Sequence, residues 1–136
     1  MLYLIDKSAL ARRGKSSVRA VLDPLVQRGL IAVTGAVEME ILYSARNYDE
    51  AERMRYWLSG FDYLPCPDEV WDRAKDVQAQ AVRKGNHRAL SMADLLIAAT
   101  AERHAAIVLH YDEEYEQIAA ITGQPHQWVV PAGTAD

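Results

Sequence analysis

Near the middle of the chain, Ser91 to Glu102 reads Ser-Met-Ala-Asp-Leu-Leu-Ile-Ala-Ala-Thr-Ala-Glu. The Ser-x-x-Asp opening predicts a helix start in which both side chains satisfy unpaired backbone donors. The residues that follow are small and apolar on nearly every side. A helix without a polar face must be buried between other elements. A chain that contains one therefore needs structure packed around it, and Asp94 falls at the mouth of that helix, where the macrodipole favours negative charge. Asp94 fits a helix cap and a ligand equally well from this stretch alone, and the other acids decide between them.

Taken in order, the chain alternates short apolar runs with helical patterns. Leu2–Ile5 predicts a buried strand ending at Asp6, and Leu30–Val33 a second. Ser16 or Ser17 starts a helix between them that carries Val18, Val21, Leu22, Leu25 and Val26, with Pro24 a potential kink. Thr34-Gly35 leads into a helix with Val37, Ile41 and Leu42, and Asp49-x-x-Glu52 into another that ends at Gly60. Phe61–Leu64 alternates like an edge strand. Pro67-Asp68 begins a long helix that stops near Gly85. Ile107–Leu109 predicts a strand leading to Asp112, Glu113–Ile121 a helix, and Trp128–Val130 a last strand. Residues 131–136 read as a loose tail. Strands alternating with helices predict an α/β fold around a parallel or mostly parallel sheet. At 136 residues the expectation is one domain, 1–136.

In open α/β sheets, ligands sit outside the carboxyl ends of the strands. Asp6 and Asp112 follow two predicted strands. Asp94 heads the buried helix that feeds the second of them, and Glu40 lies in the second turn of the helix entered from the Leu30–Val33 strand. Each alone has a bland use, as a cap or a surface acid. Together they place a carboxylate at the inner end of four elements, and like charges held that close call for a cation. Oxygen donors without His or Cys suit Mg²⁺ or Mn²⁺ rather than zinc. The leading use of such a site is hydrolysis of a phosphodiester.

The net charge of −4 argues against nucleic-acid binding by bulk charge, but its distribution is uneven. Residues 1–28 hold six basic side chains against Asp6 and Asp23. Lys7, Arg12, Arg13 and Lys15 there, with Arg88 beside the central helix, are the candidate RNA contacts. His87, His104, His110 and His126 lack metal-ligand spacing and read as surface or packing residues. Lone Cys66 excludes an internal disulfide, and the chain shows neither a signal peptide nor a membrane span, so a cytoplasmic location without membrane attachment is expected.

At this point the chain resembles the PIN-domain ribonucleases, and within them the VapC toxins of type II toxin–antitoxin pairs. The residues that carry the resemblance are Leu4-Ile5-Asp6-Lys7-Ser8-Ala9, Glu40-Ile41-Leu42-Tyr43, His87-Arg88 with Ser91–Ala101, and Val108–Tyr115. The resemblance implies a three-layer α/β/α PIN-like fold and a metal-dependent endoribonuclease that cuts structured RNA such as tRNA or rRNA. It implies that Asp6, Glu40, Asp94 and Asp112 hold Mg²⁺ or Mn²⁺, that Ser8 orients the metal site, and that Glu114 is an accessory acid. It implies a homodimer and a VapB-like antitoxin whose C-terminal segment fills a groove near the site. Residues 34–47 and 49–60, with Tyr43, Met54, Tyr56 and Trp57, are the candidate walls. Lys7 departs from the commoner Thr, and His110-Tyr111 from Thr-x.

Other readings are weaker. An Asp-nucleophile phosphatase wants a second acid where Ser8 stands, and a receiver domain wants an acidic pair and a late Lys that the chain lacks. A PIN-like domain that binds RNA or a partner without cutting, or a stand-alone RNA-processing nuclease, is the alternative.

Overall fold

The computed structural model covers residues 1–136. Five strands, β1 (Tyr3–Ile5), β2 (Ile31–Val33), β3 (Asp62–Tyr63), β4 (Ile107–His110) and β5 (His126–Trp128), form one sheet in the order β3-β2-β1-β4-β5. Every pairing is parallel. Parallel neighbours need crossovers, and seven helices supply them: α1 (Lys7–Leu10), α2 (Ser16–Gln27), α3 (Gly35–Tyr43), α4 (Tyr48–Leu58), α5 (Asp68–Lys84), α6 (Met92–Arg103) and α7 (Glu114–Thr122).

The order reverses between β1 and β4. That topological switch point opens a crevice at the carboxyl ends of the two central strands. Asp6 and Asp112 lie there because they follow β1 and β4. Helix α6 is buried along Asp94–Ala101 and packs against α3, α5, α7 and β4. Ile97, wholly buried, is worth about 1.5–3 kcal/mol there relative to leaving it exposed. The core is one cluster of 33 buried residues that includes both central strands.

Several local expectations are corrected. Helix α4 begins at Tyr48, capped by Asn47, whose side chain accepts from Glu50 N–H at 2.9 Å, rather than at Asp49. Helix α2 has Lys15 before it and no side-chain cap, so neither Ser16 nor Ser17 plays that part. Pro24 stays inside α2 on its exposed side, as does Ala20, whose carbonyl the ring leaves without a helical partner. The last strand is His126–Trp128, two residues earlier than the apolar run suggests. Gly85, at φ 78°, ends α5 in the left-handed region where a side chain would be strained.

Within residues 131–136, expected to be loose, 131–134 are exposed and only 135 and 136 are anchored. Ala135 is buried, its N–H donates to Tyr111 Oη at 2.9 Å, and Tyr111 Oη donates to Asp136 Oδ1 at 2.8 Å. Arg12 Nε donates to the Ala135 carbonyl at 3.0 Å. Composition hid this, because the anchors are one backbone unit and two side chains distant in sequence.

Candidate metal centre

Asp6 leaves β1 and caps α1. Its Oδ2 accepts from Ser8 N–H at 3.0 Å and from Ser8 Oγ at 2.6 Å. Ser8 Oγ in turn accepts from Tyr111 N–H at 2.8 Å. One hydroxyl thus ties the end of β1 to the end of β4 and orients the carboxylate between them. Capping and membership of the acid cluster are the same geometry here.

At α6, Ser91 Oγ accepts from Asp94 N–H at 3.0 Å, the first half of the expected reciprocal cap. The second half is absent. The Asp94 carboxyl turns inward, to within 3.1 Å of Tyr115 Oη. The same Oη lies 2.8 Å from Asp6 Oδ1. A phenol carries one proton, so it cannot fully satisfy both carboxyls. Tyr115, buried and displaced toward higher pKa by its burial and then by the two acids, stays protonated between them. Sequence reasoning missed it, since a tyrosine in an amphipathic helix reads as core. Removing only the hydroxyl, in Tyr115→Phe, should lower Mn²⁺ affinity about 10–100-fold with the circular dichroism spectrum unchanged. Titration calorimetry that shows equal affinity in both proteins would refute this role.

The carboxyls converge as two triads. Oxygens of Asp6, Glu40 and Asp94 lie within 4.8 Å of one another, and so do oxygens of Asp94, Asp112 and Glu114. Asp94 belongs to both. Glu114, expected as an accessory, is a full member of the second triad. Contact with Asp94, then burial, pushes its pKa up to about 9. Burial, then the neighbouring acids, raises Glu40, with Lys7 opposing. Burial chiefly raises Asp94 as well. Glu114 thus keeps a proton into neutral solution that a cation would displace, and burial and mutual repulsion disfavour the ionised forms of Glu40 and Asp94. The donors are hard oxygens throughout, which fits a divalent ion of the Mg²⁺ or Mn²⁺ kind.

Behind Asp112 sits an unforeseen support. Asp112 N–H donates to His110 Nδ1 at 3.1 Å, so the proton of neutral His110 is on Nε2. That Nε2 donates to His126 Nδ1 at 2.9 Å. Burial, then His126, lowers His110 to about 3. His110 is therefore a packing residue, as expected, that also fixes the backbone turn carrying Asp112. Asp112 Oδ1 accepts from Glu114 N–H at 2.9 Å.

Of the candidate RNA contacts, Lys7 and Arg12 line the acid pocket, whose volume is about 250 Å³. Arg13 lies 4.5 Å above the Trp57 ring, and Lys15 and Arg88 are exposed outside the pocket. A larger apolar groove of about 720 Å³ adjoins the acids and shares Lys7 and Glu40 with them. Its walls include Met39 and Tyr43 of α3, Trp71 of α5, and Met92 and Leu96 of α6. Tyr43 was expected there. Met54, Tyr56 and Trp57 are not in this groove, because α4 packs beyond α3, with Trp57 edge-on to Phe61 at 5.1 Å.

A sequence profile of the PIN domain matches residues 3–121. The chain is 45% identical to the ribonuclease VapC21 of Mycobacterium tuberculosis, over 98% of this chain and 97% of that protein. It is 42% identical to the ribonuclease VapC51 of the same organism at the same coverage. Among solved structures, VapBC2 from Rickettsia felis bound to a DNA fragment from its promoter superposes with a TM-score of 0.76 at 17% identity, covering 94% of this chain and 99% of that one. DNA-bound VapBC from Salmonella typhimurium gives 0.76 at 18% identity, covering 96% of this chain and 100% of that one. The two structures show the shared fold; the family follows from the profile and the close relatives. With an all-parallel sheet, acids gathered at its switch point and close identity over nearly all its length, this chain belongs to the PIN-domain family, among the VapC ribonucleases.

Proposed function

We propose that this protein is a metal-dependent endoribonuclease, the toxin of a VapBC-type pair, with Asp6, Glu40, Asp94 and Asp112 holding Mg²⁺ or Mn²⁺ and Glu114 completing the set. The observation that carries this reading is the pair of carboxylate triads sharing Asp94 at the sheet's switch point. A divalent ion bound there supplies Lewis-acid polarisation of a phosphoryl oxygen and a water of lowered pKa for attack on the phosphodiester.

The chain's own residues do the rest. Ser8 and Tyr115 hold Asp6 from opposite sides, and Tyr115 also reaches Asp94. The His110 ring and the Glu114 N–H set the turn and carboxylate of Asp112. Such bonds fix the ligand oxygens before substrate arrives. Lys7 and Arg12 bring positive charge to a pocket that an RNA phosphate would otherwise avoid. Structured RNA, tRNA or rRNA, is the substrate class of this reading. The apolar groove beside the acids suits an amphipathic segment of a VapB-like antitoxin, which would cover Glu40 and Lys7 while it lay there. A homodimer is the expected assembly.

The test is digestion of total cellular RNA by protein freed of any partner. Discrete products are expected with Mg²⁺ or Mn²⁺ and none with chelator. Equal digestion in chelator, or intact RNA in every metal condition, would overturn the reading.

A further inference from the structure

The geometry points to Arg12 as a phosphate-gripping residue at the rim of the acid pocket, held in its working orientation by the chain's own residues 135–136 through Tyr111. This rests on the ribonuclease reading above and assigns it a substrate-positioning residue.

An arginine beside a cluster of carboxylates ordinarily swings onto one of them. Arg12 does not, and it takes part in none of the molecule's ion pairs. Its anchors are neutral. Nη1 donates to the Ser8 carbonyl at 2.9 Å, and Nε donates to the Ala135 carbonyl at 3.0 Å. The guanidinium lies over the Tyr111 ring, 4.3 Å from its centroid. These contacts fix the plane of the group without pairing it to a carboxylate. Two of the five guanidinium N–H donors are engaged, so the others remain for an acceptor. The side chain lines the same pocket as Asp6, Asp94 and Asp112. Undonated N–H groups in a rigid fork suit one ligand class above others, a phosphate oxygen of the nucleic-acid backbone. The Lys7 side chain, also in the pocket, makes no hydrogen bond or ion pair and has no comparable orientation.

The anchoring reaches beyond Arg12. Tyr111 Oη accepts from Ala135 N–H and donates to Asp136 Oδ1, so the phenol holds the carbonyl that holds Nε. Ser8 completes the loop: its carbonyl takes Nη1 while its hydroxyl orients Asp6. Guanidinium and acid site are therefore registered to one residue. Losing Arg12 should affect cleavage, and loosening Tyr111 should affect it through Arg12.

The experiment measures kcat/KM for appearance of the discrete products of total cellular RNA in Mn²⁺, as a function of salt, for wild type, Arg12→Ala, Arg12→Lys, Tyr111→Phe and the Arg12→Ala/Tyr111→Phe double variant. Arg12→Ala should lose about 10–100-fold, chiefly in KM, and its log–log salt slope should fall by about 1. Arg12→Lys should recover part of the loss, because charge returns without the fork. Tyr111→Phe keeps the ring and should lose less than Arg12→Ala, with no further loss in the double variant. Arg12→Ala that cuts with wild-type kcat/KM and salt slope, whatever its melting temperature, overturns this inference while leaving the nuclease intact. Additive losses in the double variant overturn the link through Tyr111. Wild type that leaves RNA whole in Mn²⁺ overturns the ribonuclease reading and this inference together.

Discussion

Asp94→Asn is expected to lower RNA cleavage by about 10²–10³-fold, the scale of losing several kcal/mol of charge stabilisation in the transition state. The same substitution should raise the melting temperature of the metal-free protein. Both effects come from one position. Asp94 is the only acid common to the two triads, so its loss weakens both sets of donors. Without metal it is also a buried carboxyl whose ionised form is disfavoured by burial and by Asp6 and Asp112. Asparagine keeps the shape and the backbone N–H that donates to Ser91 Oγ, so the start of α6 survives. It also brings amide donors to a pocket crowded with acceptors. Activity assays and thermal melts in chelator check the two halves together. Wild-type cleavage by Asp94→Asn would remove Asp94 from the chemistry. A destabilised metal-free variant would show instead that Asp94 serves α6 more than it strains the cluster.

The two aspects of Asp94 also show what could be read before the fold was known. Strand ends and a helix start are local features, and a carboxylate placed at each converges once the sheet is parallel and its order reverses. That much follows from periodicity and from residue types at element boundaries. The convergence of Asp6, Glu40, Asp94 and Asp112 near one crevice was legible for this reason. Tyr115 was not, because nothing in Glu-Tyr-Glu-Gln distinguishes a core ring from one whose hydroxyl reaches two acids from α7. Glu114 was underrated for the same reason: its closeness to Asp94 depends on how α7 packs against α6. The candidate walls of the antitoxin groove were placed on residues 34–47 and 49–60; the apolar cavity beside the acids shares Tyr43 with that set and takes Trp71 from α5 and Met92 and Leu96 from α6, a matter of helix packing that amphipathic patterns do not resolve. The docking of residues 135 and 136 needed Tyr111, about 25 positions back, and Arg12, 123 positions before Ala135, and composition is silent on such contacts.

The metal-free protein should lose stability as pH rises from the ordinary carboxylate range to about 9, and Mn²⁺ should restore it at the upper end of that window. The sign follows from proton counts. Glu114 has a folded pKa of about 9 against an ordinary 4.5, and Glu40 and Asp94 are also raised. Between those limits the folded state binds more protons than the unfolded chain, so stability is full below the ordinary value and declines as pH climbs through the folded one. His110 acts on the other limb. Its folded pKa of about 3, against 6.5, contributes stability above 6.5 that is lost as pH falls toward 3. The metal-free protein is thus squeezed from both sides, most stable in mildly acidic solution. A divalent ion replaces the protons of the raised acids, so its binding strengthens as pH rises. At about 100 times its dissociation constant it stabilises by about 2.7 kcal/mol, roughly 5–10 °C in melting temperature for a domain of this size. The upward shift in Mn²⁺ should therefore be large near pH 8 and small near pH 5. Scanning calorimetry from pH 3 to pH 9, with chelator and with Mn²⁺, measures both limbs. A metal-free melting temperature that climbs steadily from pH 5 to 9 would mean that the five carboxyls are too well solvated to repel one another. A Mn²⁺ shift of equal size at both ends would place the ion elsewhere than on the proton-holding acids of the two triads.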